Sequence, residues 1–162
     1  MKKTRKQEWA IDLLLIDIKG YVPDFLEVRP STLPNAGLGV FSRSFIPQNT
    51  FLGNYMGRRT AVADDTNPYL FQTVSSRDQT FYIDASDPKN SNFTRYMNCA
   101  TAPQNENVTS VIHRSKTMYF DSFSIDGYIM FFTKRDIAMD EELLYDYGEN
   151  SRRAMGIGWL AD

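Results

Sequence analysis

The chain has 162 residues, 42% hydrophobic and 23% charged, the size of one globular domain with enough apolar material for a single core. Its 18 Lys and Arg against 20 Asp and Glu leave a formal charge of −2, too weak a field to hold nucleic acid or an anionic membrane by charge alone. One cysteine, Cys99, excludes an internal disulfide and any multi-thiolate zinc cluster, and one histidine, His113, leaves little room for imidazole catalysis or a His-based metal site.

Residues 1–20 open with Lys2, Lys3, Arg5 and Lys6, then place Trp9, Leu13 and Ile16 at helical spacing before Gly20. This predicts an N-terminal amphipathic helix or arm. Asp12 and Asp17 interrupt it, and its apolar run falls well short of the roughly 20 residues of a membrane span. No small-residue cleavage site follows, so it does not read as a secretory signal.

From Tyr21 to Asp162 the pattern is that of a second unit, one domain of short strands. Expected strands are Leu26–Val28, Gly39–Phe41, Phe51–Tyr55, Tyr69–Val74, Phe81–Ile83, Val108–Ile112, Met118–Phe120, Tyr128–Phe132 and Leu143–Tyr145. The stretch Asp84 to Pro103, rich in Asn, Ser and Pro, reads as a long ordered loop with a short helix near Asn92 to Met97. Loops of that length in a compact domain tend to carry function. Phe41, Ile46 and Leu52 are echoed 91 residues later by Phe132, Ile137 and Leu143, with Pro47-Gln48-Asn49 and Ala138-Met139-Asp140 as the intervening turns. Two strand-turn-strand units are expected to be built alike.

Four segments hold the candidate chemistry. In Gly37-Leu38-Gly39 the two glycines permit either close backbone approach to a ligand or a tight turn. Tyr55-Met56-Gly57 ends a strand and by itself reads as a core aromatic followed by a turn. Arg95-Tyr96-Met97-Asn98-Cys99 sits in the long loop, where an Asn amide can donate and accept and a thiol can pack against a ligand. Asp140 to Gly148 places Tyr145 and Tyr147 together on one face of an extended segment, its acids reading as a solvated turn.

In this order the four segments resemble the SET-domain protein lysine methyltransferases, whose pattern runs Gly-x-Gly, Tyr-x-Gly, Arg-aromatic-x-Asn-His and Glu-Leu-x-x-Asp-Tyr. The resemblance covers roughly Leu26 to Trp159. Asn98-Cys99-Ala100 in place of Asn-His, and the tail from Tyr147-Gly148-Glu149 to Met155-Gly156-Ile157-Gly158-Trp159, look most like the PR/SET subgroup.

The resemblance implies a mainly β, SET-type fold of several short-stranded sheets with minor helices, whose last motif crosses the Asn98 loop in a pseudoknot-like arrangement that brings Tyr147 beside Cys99. It implies a nuclear (otherwise cytoplasmic) enzyme that moves a methyl group from S-adenosylmethionine to a protein lysine, with a histone tail as expected substrate and no metal, membrane or direct nucleic-acid partner. Gly37, Leu38, Gly39, Tyr69, Asn98 and Cys99 would hold the cofactor. Tyr147 would be the catalytic tyrosine, Tyr55 would line the lysine channel, and Tyr145 would select the number of methyl groups, with Phe131 an alternative selector. The tail Arg152 to Leu160 would help close the channel. An inactive PR/SET-like interaction module is the competing expectation. A chain with 9 Tyr and 11 Phe suits methyl transfer to an amine in an aromatic channel, which uses neither imidazole nor thiolate.

Overall fold

The computed structural model describes residues 20–114, 119–120, 123–124 and 126–159. The expected N-terminal helix lies outside them. Twelve short strands dominate. β1 (Leu26–Pro30) and β2 (Leu38–Ser42) form an antiparallel hairpin. β3 (Phe51–Asn54) enters a three-stranded sheet ordered β3-β11-β8, with β8 at Val108–His113 and β11 at Tyr128–Thr133. A second three-stranded sheet has the order β4-β6-β5, from β4 (Arg58–Thr60), β5 (Leu70–Val74) and β6 (Thr80–Asp84). β9 (Tyr119–Phe120) pairs with β10 (Phe123–Ser124), while β7 (Asn98–Cys99) runs parallel to β12 (Leu144–Tyr145). One short helix, α1 (Glu149–Ala154), follows.

The strand readings hold within a residue or two at most positions, because each was a run of β-branched or aromatic residues bounded by turn formers. β4, β7, β10 and α1 had no such signal: Arg58–Thr60 is largely polar, and Asn98–Cys99 is a strand only through its distant partner. The long loop is ordered as expected. Asn92 caps a 3-10 turn at Phe93–Tyr96 by accepting from the Thr94 N–H, and its Nδ2 donates to the Asn54 carbonyl at 3.0 Å, tying the loop to β3. Among the described residues no helix is long and apolar enough to cross a membrane.

The repeat seen in the sequence is a structural symmetry. Ile46 and Ile137 exchange both backbone hydrogen bonds at 2.9 Å. Around them four further bonds each have a counterpart 91 residues away. Ser42 N–H bonds the Glu141 carbonyl and Thr133 N–H the Thr50 carbonyl, both at 3.0 Å. Asp140 N–H bonds the Ser42 carbonyl and Asn49 N–H that of Thr133, both at 2.9 Å. The Ser42 hydroxyl donates to the Ala138 carbonyl and accepts from Glu141 N–H, as the Thr133 hydroxyl donates to the Pro47 carbonyl and accepts from Thr50 N–H. Asn49 and Asp140, with φ of 61° and 66°, close the two turns in the left-handed conformation that Asn and Asp tolerate. Ile46, Ile137, Leu52, Leu143, Phe131 and Val40 are buried in one core.

Ser42→Ala and Thr133→Val each delete a buried hydroxyl that both donates to and accepts from the facing turn. Each substitution is expected to lower the unfolding free energy by about 1–3 kcal/mol. Urea denaturation should find the two losses similar, and a loss at only one site would show that the symmetry is geometric without being energetic.

Candidate active site

Segment 142–147 is bonded on two sides by one loop. Leu144 and Tyr145 pair in parallel with Asn98 and Cys99, and Ala100 N–H bonds the Tyr145 carbonyl at 3.0 Å. From the other limb, the Asn107 side chain donates to the Glu142 carbonyl at 2.8 Å and accepts from Leu144 N–H at 2.8 Å, while its own N–H bonds the Leu144 carbonyl. This is the crossing that the family resemblance implied. It sets Tyr147 against the loop that carries Cys99: the Tyr147 hydroxyl donates to the Met97 carbonyl at 2.7 Å. Burial pushes the Cys99 thiol above its usual range, so it stays protonated and unreactive.

Five rings meet where the sheets converge. Phe131 from β11 stands edge-on to Tyr145 at 4.9 Å, and Phe71 from β5 stacks on Tyr145 at 6.1 Å. Tyr55, just past β3, lies 5.3 Å from Phe71, and Tyr147 lies 4.7 Å from Tyr145. The Tyr55 hydroxyl donates to the Tyr69 carbonyl at 2.9 Å. Burial holds all three phenols, Tyr55, Tyr145 and Tyr147, well above the ordinary tyrosine value. They are neutral at any physiological pH.

Tyr55, Tyr145 and Tyr147 line a cleft of about 770 Å³. One wall is the segment Asp64–Pro68 and the other is α1 with Gly148 and Met155. The tail thus contributes to the cleft, as expected for Arg152 onward. Arg152 fixes it by pairing with Asp146 at 2.5 Å and lying 3.9 Å over the Trp159 ring, whose Nε1 donates to the Ala100 carbonyl.

On the far side of Tyr147 from α1, the Asn98 loop meets β2. Asn98 Nδ2 donates to the Leu38 carbonyl at 2.9 Å and to Glu142 Oε1 at 3.1 Å, which joins the Gly-x-Gly and Asn-Cys segments. Leu38 is 42% exposed there. Tyr69 stands apart from this pair: its ring lies 4.3 Å under the Arg95 guanidinium. Gly37 sits at a turn with φ of 71° and open space around it. Gly39 has another purpose. A Cβ there would overlap Glu142 Oε1, so its missing side chain makes room for the protein's own carboxylate.

Glu142 was the residue least visible in the sequence. Read as part of a solvated turn, it is only 7% exposed. Burial opposes its charge, yet hydrogen bonds from Ser31, Thr32 and Asn98 outweigh that and hold the carboxyl below its usual range. The available signal was parity, because Glu142 shares the face of the buried Leu144 in an extended segment. Phe71 and the Met97 carbonyl also gave no sign in the sequence. No cluster of three or more His, Cys, Asp or Glu able to hold a metal occurs among the described residues.

Residues 26–158 match the family model described as "PR domain zinc finger protein 2, PR domain", and the chain belongs to that PR-domain family. It is 33% identical over 131 residues to the Caenorhabditis elegans protein named Histone-lysine N-methyltransferase set-17, covering 80% of this chain and 43% of the relative. The chain therefore spans under half of that relative's length. Its fold matches the methyltransferase domain of human PR domain-containing protein 2 with a TM-score of 0.59 and 23% identity, over 79% of this chain and 80% of that one. It also matches KRYPTONITE, in a complex with mCHH DNA, H3(1-15) peptide and SAH, with a TM-score of 0.57 and 26% identity over 82% of this chain and 25% of that one.

The two glycines of the Gly-x-Gly segment should respond differently to alanine. Gly37→Ala strains one left-handed residue and is expected to cost about 1–3 kcal/mol. Gly39→Ala displaces a buried carboxylate from its donors and should cost about 3 kcal/mol or more. Chemical denaturation of both variants checks this, and equal costs would show that the Glu142 contact is not the reason for Gly39.

Proposed function

We propose that residues 21–162 form an S-adenosylmethionine-dependent lysine N-methyltransferase domain that adds chiefly one methyl group to a histone-tail lysine in the nucleus. The observation that carries this reading is three neutral phenols, Tyr55, Tyr145 and Tyr147, at a cleft whose Tyr147 also touches the Asn98–Cys99 loop. The names of the PR-domain relatives and the SAH and H3 peptide of the structural neighbour support it.

The residues present fit the methyl donor. Asn98 Oδ1 has no partner among the described residues, so beside exposed Leu38 it offers an acceptor suited to the donor's ammonium. Leu38, Gly39, Asn98, Cys99 and Tyr69 would hold the cofactor, with Gly37 acting through the turn before them. When bound, S-adenosylmethionine supplies an electrophilic methyl group on a sulfonium.

The chain's own task is the amine. Deprotonating a lysine of pKa about 10.4 at pH 7 costs roughly 4.6 kcal/mol. Rings of Phe71, Tyr55, Tyr145 and Tyr147 strip water from a side chain entering the cleft, which disfavours the ammonium. None of the three phenols can serve as a phenolate base, since burial keeps each protonated. The amine therefore gives its proton to water, and the hydroxyls aim the lone pair. Exposed Asp64, Asp65 and Glu149 in the cleft walls suit a cationic peptide, and the net charge of −2 favours a peptide over directly bound nucleic acid. Tyr145, packed between Phe71 and Phe131, leaves little room beside the amine for a second methyl group.

Incubation with labelled S-adenosylmethionine and a panel of histones and peptides, in the presence of a chelator, should yield chiefly monomethyllysine by mass spectrometry. Tyr147→Phe is expected to lower the rate at least about a hundredfold. Tyr145→Phe should shift product toward dimethyllysine. Absence of methylation on every substrate together with no calorimetric binding of S-adenosylhomocysteine would overturn the enzyme reading, and trimethyllysine from the parent at exhaustive turnover would overturn the selector role of Tyr145.

A further inference from the structure

Glu142 lies outside the chemistry proposed above, yet more of the cofactor face converges on it than on any residue there. Oε2 accepts from the Thr32 N–H at 3.0 Å and the Thr32 hydroxyl at 2.6 Å. Oε1 accepts from the Ser31 hydroxyl at 2.6 Å and from Asn98 Nδ2 at 3.1 Å. Four donors thus occupy the four acceptor sites of one carboxylate. The turn it anchors is the one leading into Leu38, closed by the Ser31 N–H to the Gly37 carbonyl at 2.8 Å.

The consequence falls on Asn98. Its amide could in principle face either way, but both neighbours on its inner side, the Leu38 carbonyl and Glu142 Oε1, are acceptors only. Both Nδ2 hydrogens are consumed there, and the planar amide then turns Oδ1 away from them. Resting on the cofactor reading above, we infer that Glu142 is a positioning residue that locks the Asn98 amide so that an acceptor, and never a donor, is presented to the ammonium of the methyl donor.

Glu142→Gln separates this role from simple packing. Glutamine has nearly the same shape but brings an NH2 among four donors. The Thr32 N–H cannot reverse, so the new NH2 faces Ser31 and Asn98. Ser31 can rotate its hydroxyl; Asn98 can satisfy it only by turning its oxygen inward, which leaves its NH2 facing the ligand. The variant removes the lock: a turned Asn98 amide gives up the Leu38 carbonyl, an unturned one sets NH2 against NH2, and the Thr32 bonds are kept in both cases.

The experiment is calorimetric titration of the parent and Glu142→Gln with two ligands: S-adenosylhomocysteine, which bears the ammonium, and 5′-methylthioadenosine, which lacks the amino-acid end. The expected result is a roughly ten- to hundredfold loss of S-adenosylhomocysteine affinity in the variant. Methylthioadenosine affinity should stay within about twofold. Equal losses for both ligands, or no loss for either, would overturn the inference. A parent that binds neither ligand would overturn the cofactor reading itself and this role with it. Should Glu142→Gln fail to fold, the parent alone decides by NMR. Both Asn98 side-chain amide protons, assigned by their absence in Asn98→Ala, should exchange slowly and lie downfield. Fast-exchanging protons at random-coil positions would overturn the lock.

Discussion

A parallel pairing only two residues long on each side, Asn98–Cys99 against Leu144–Tyr145, holds together every part of the candidate site. Alone such a pairing would be marginal, since parallel ladders are weak per residue and this one closes a loop of more than forty residues. Asn107 makes it durable. Its side chain and backbone satisfy three polar groups of the crossing segment that would otherwise be buried without partners. Because the segment is bonded on two sides, Tyr145 and Tyr147 have no freedom to slide by one residue, and a slip would exchange the ring face for the Glu142, Leu144 face. The price of this arrangement is kinetic: the pairing is non-local and can close only after both sheets have formed.

The same crossing explains how one tyrosine can belong to two surfaces. Tyr147 lines the cleft beside α1 and also bonds the loop that carries Asn98. Its hydroxyl is engaged with the Met97 carbonyl, and burial keeps the phenol neutral. A rigid, uncharged partition between an aromatic cleft and a polar cradle is the outcome. Two arginines flank it, Arg95 over Tyr69 and Arg152 over Trp159.

Much of this was legible in the residues. Strands β2, β3, β8 and β11 were marked by β-branched and aromatic runs, and both pseudo-symmetric turns by Asn49 and Asp140 in sequence-equivalent places. Parity alone joined Tyr145 to Tyr147, and the family resemblance implied Tyr147 beside Cys99. What stayed hidden depends on distant partners. β7 has no strand signature because its two residues pair with a strand far along the chain. Glu142 reads as solvent-facing in a run of three acids, since nothing local tells that Ser31 and Thr32 will close over it. Gly39 is ambiguous for the same reason: a glycine that makes room for a distant side chain and one that makes room for a ligand look alike in sequence.

The symmetry about Ile46 and Ile137 has a meaning for how such a chain could arise. Two strand-turn-strand units exchange the same hydrogen bonds in both directions, so their contact is isologous, the kind made by two identical subunits across a twofold axis. One covalent chain holds what a homodimer of a shorter peptide would hold. Duplication and fusion of such a peptide would supply this contact at once, leaving each copy free to diverge away from the axis. The divergence is visible at matched positions: Phe51 stands where the second unit has Glu142, so the place that carries an aromatic core contact in one copy carries the buried carboxylate in the other.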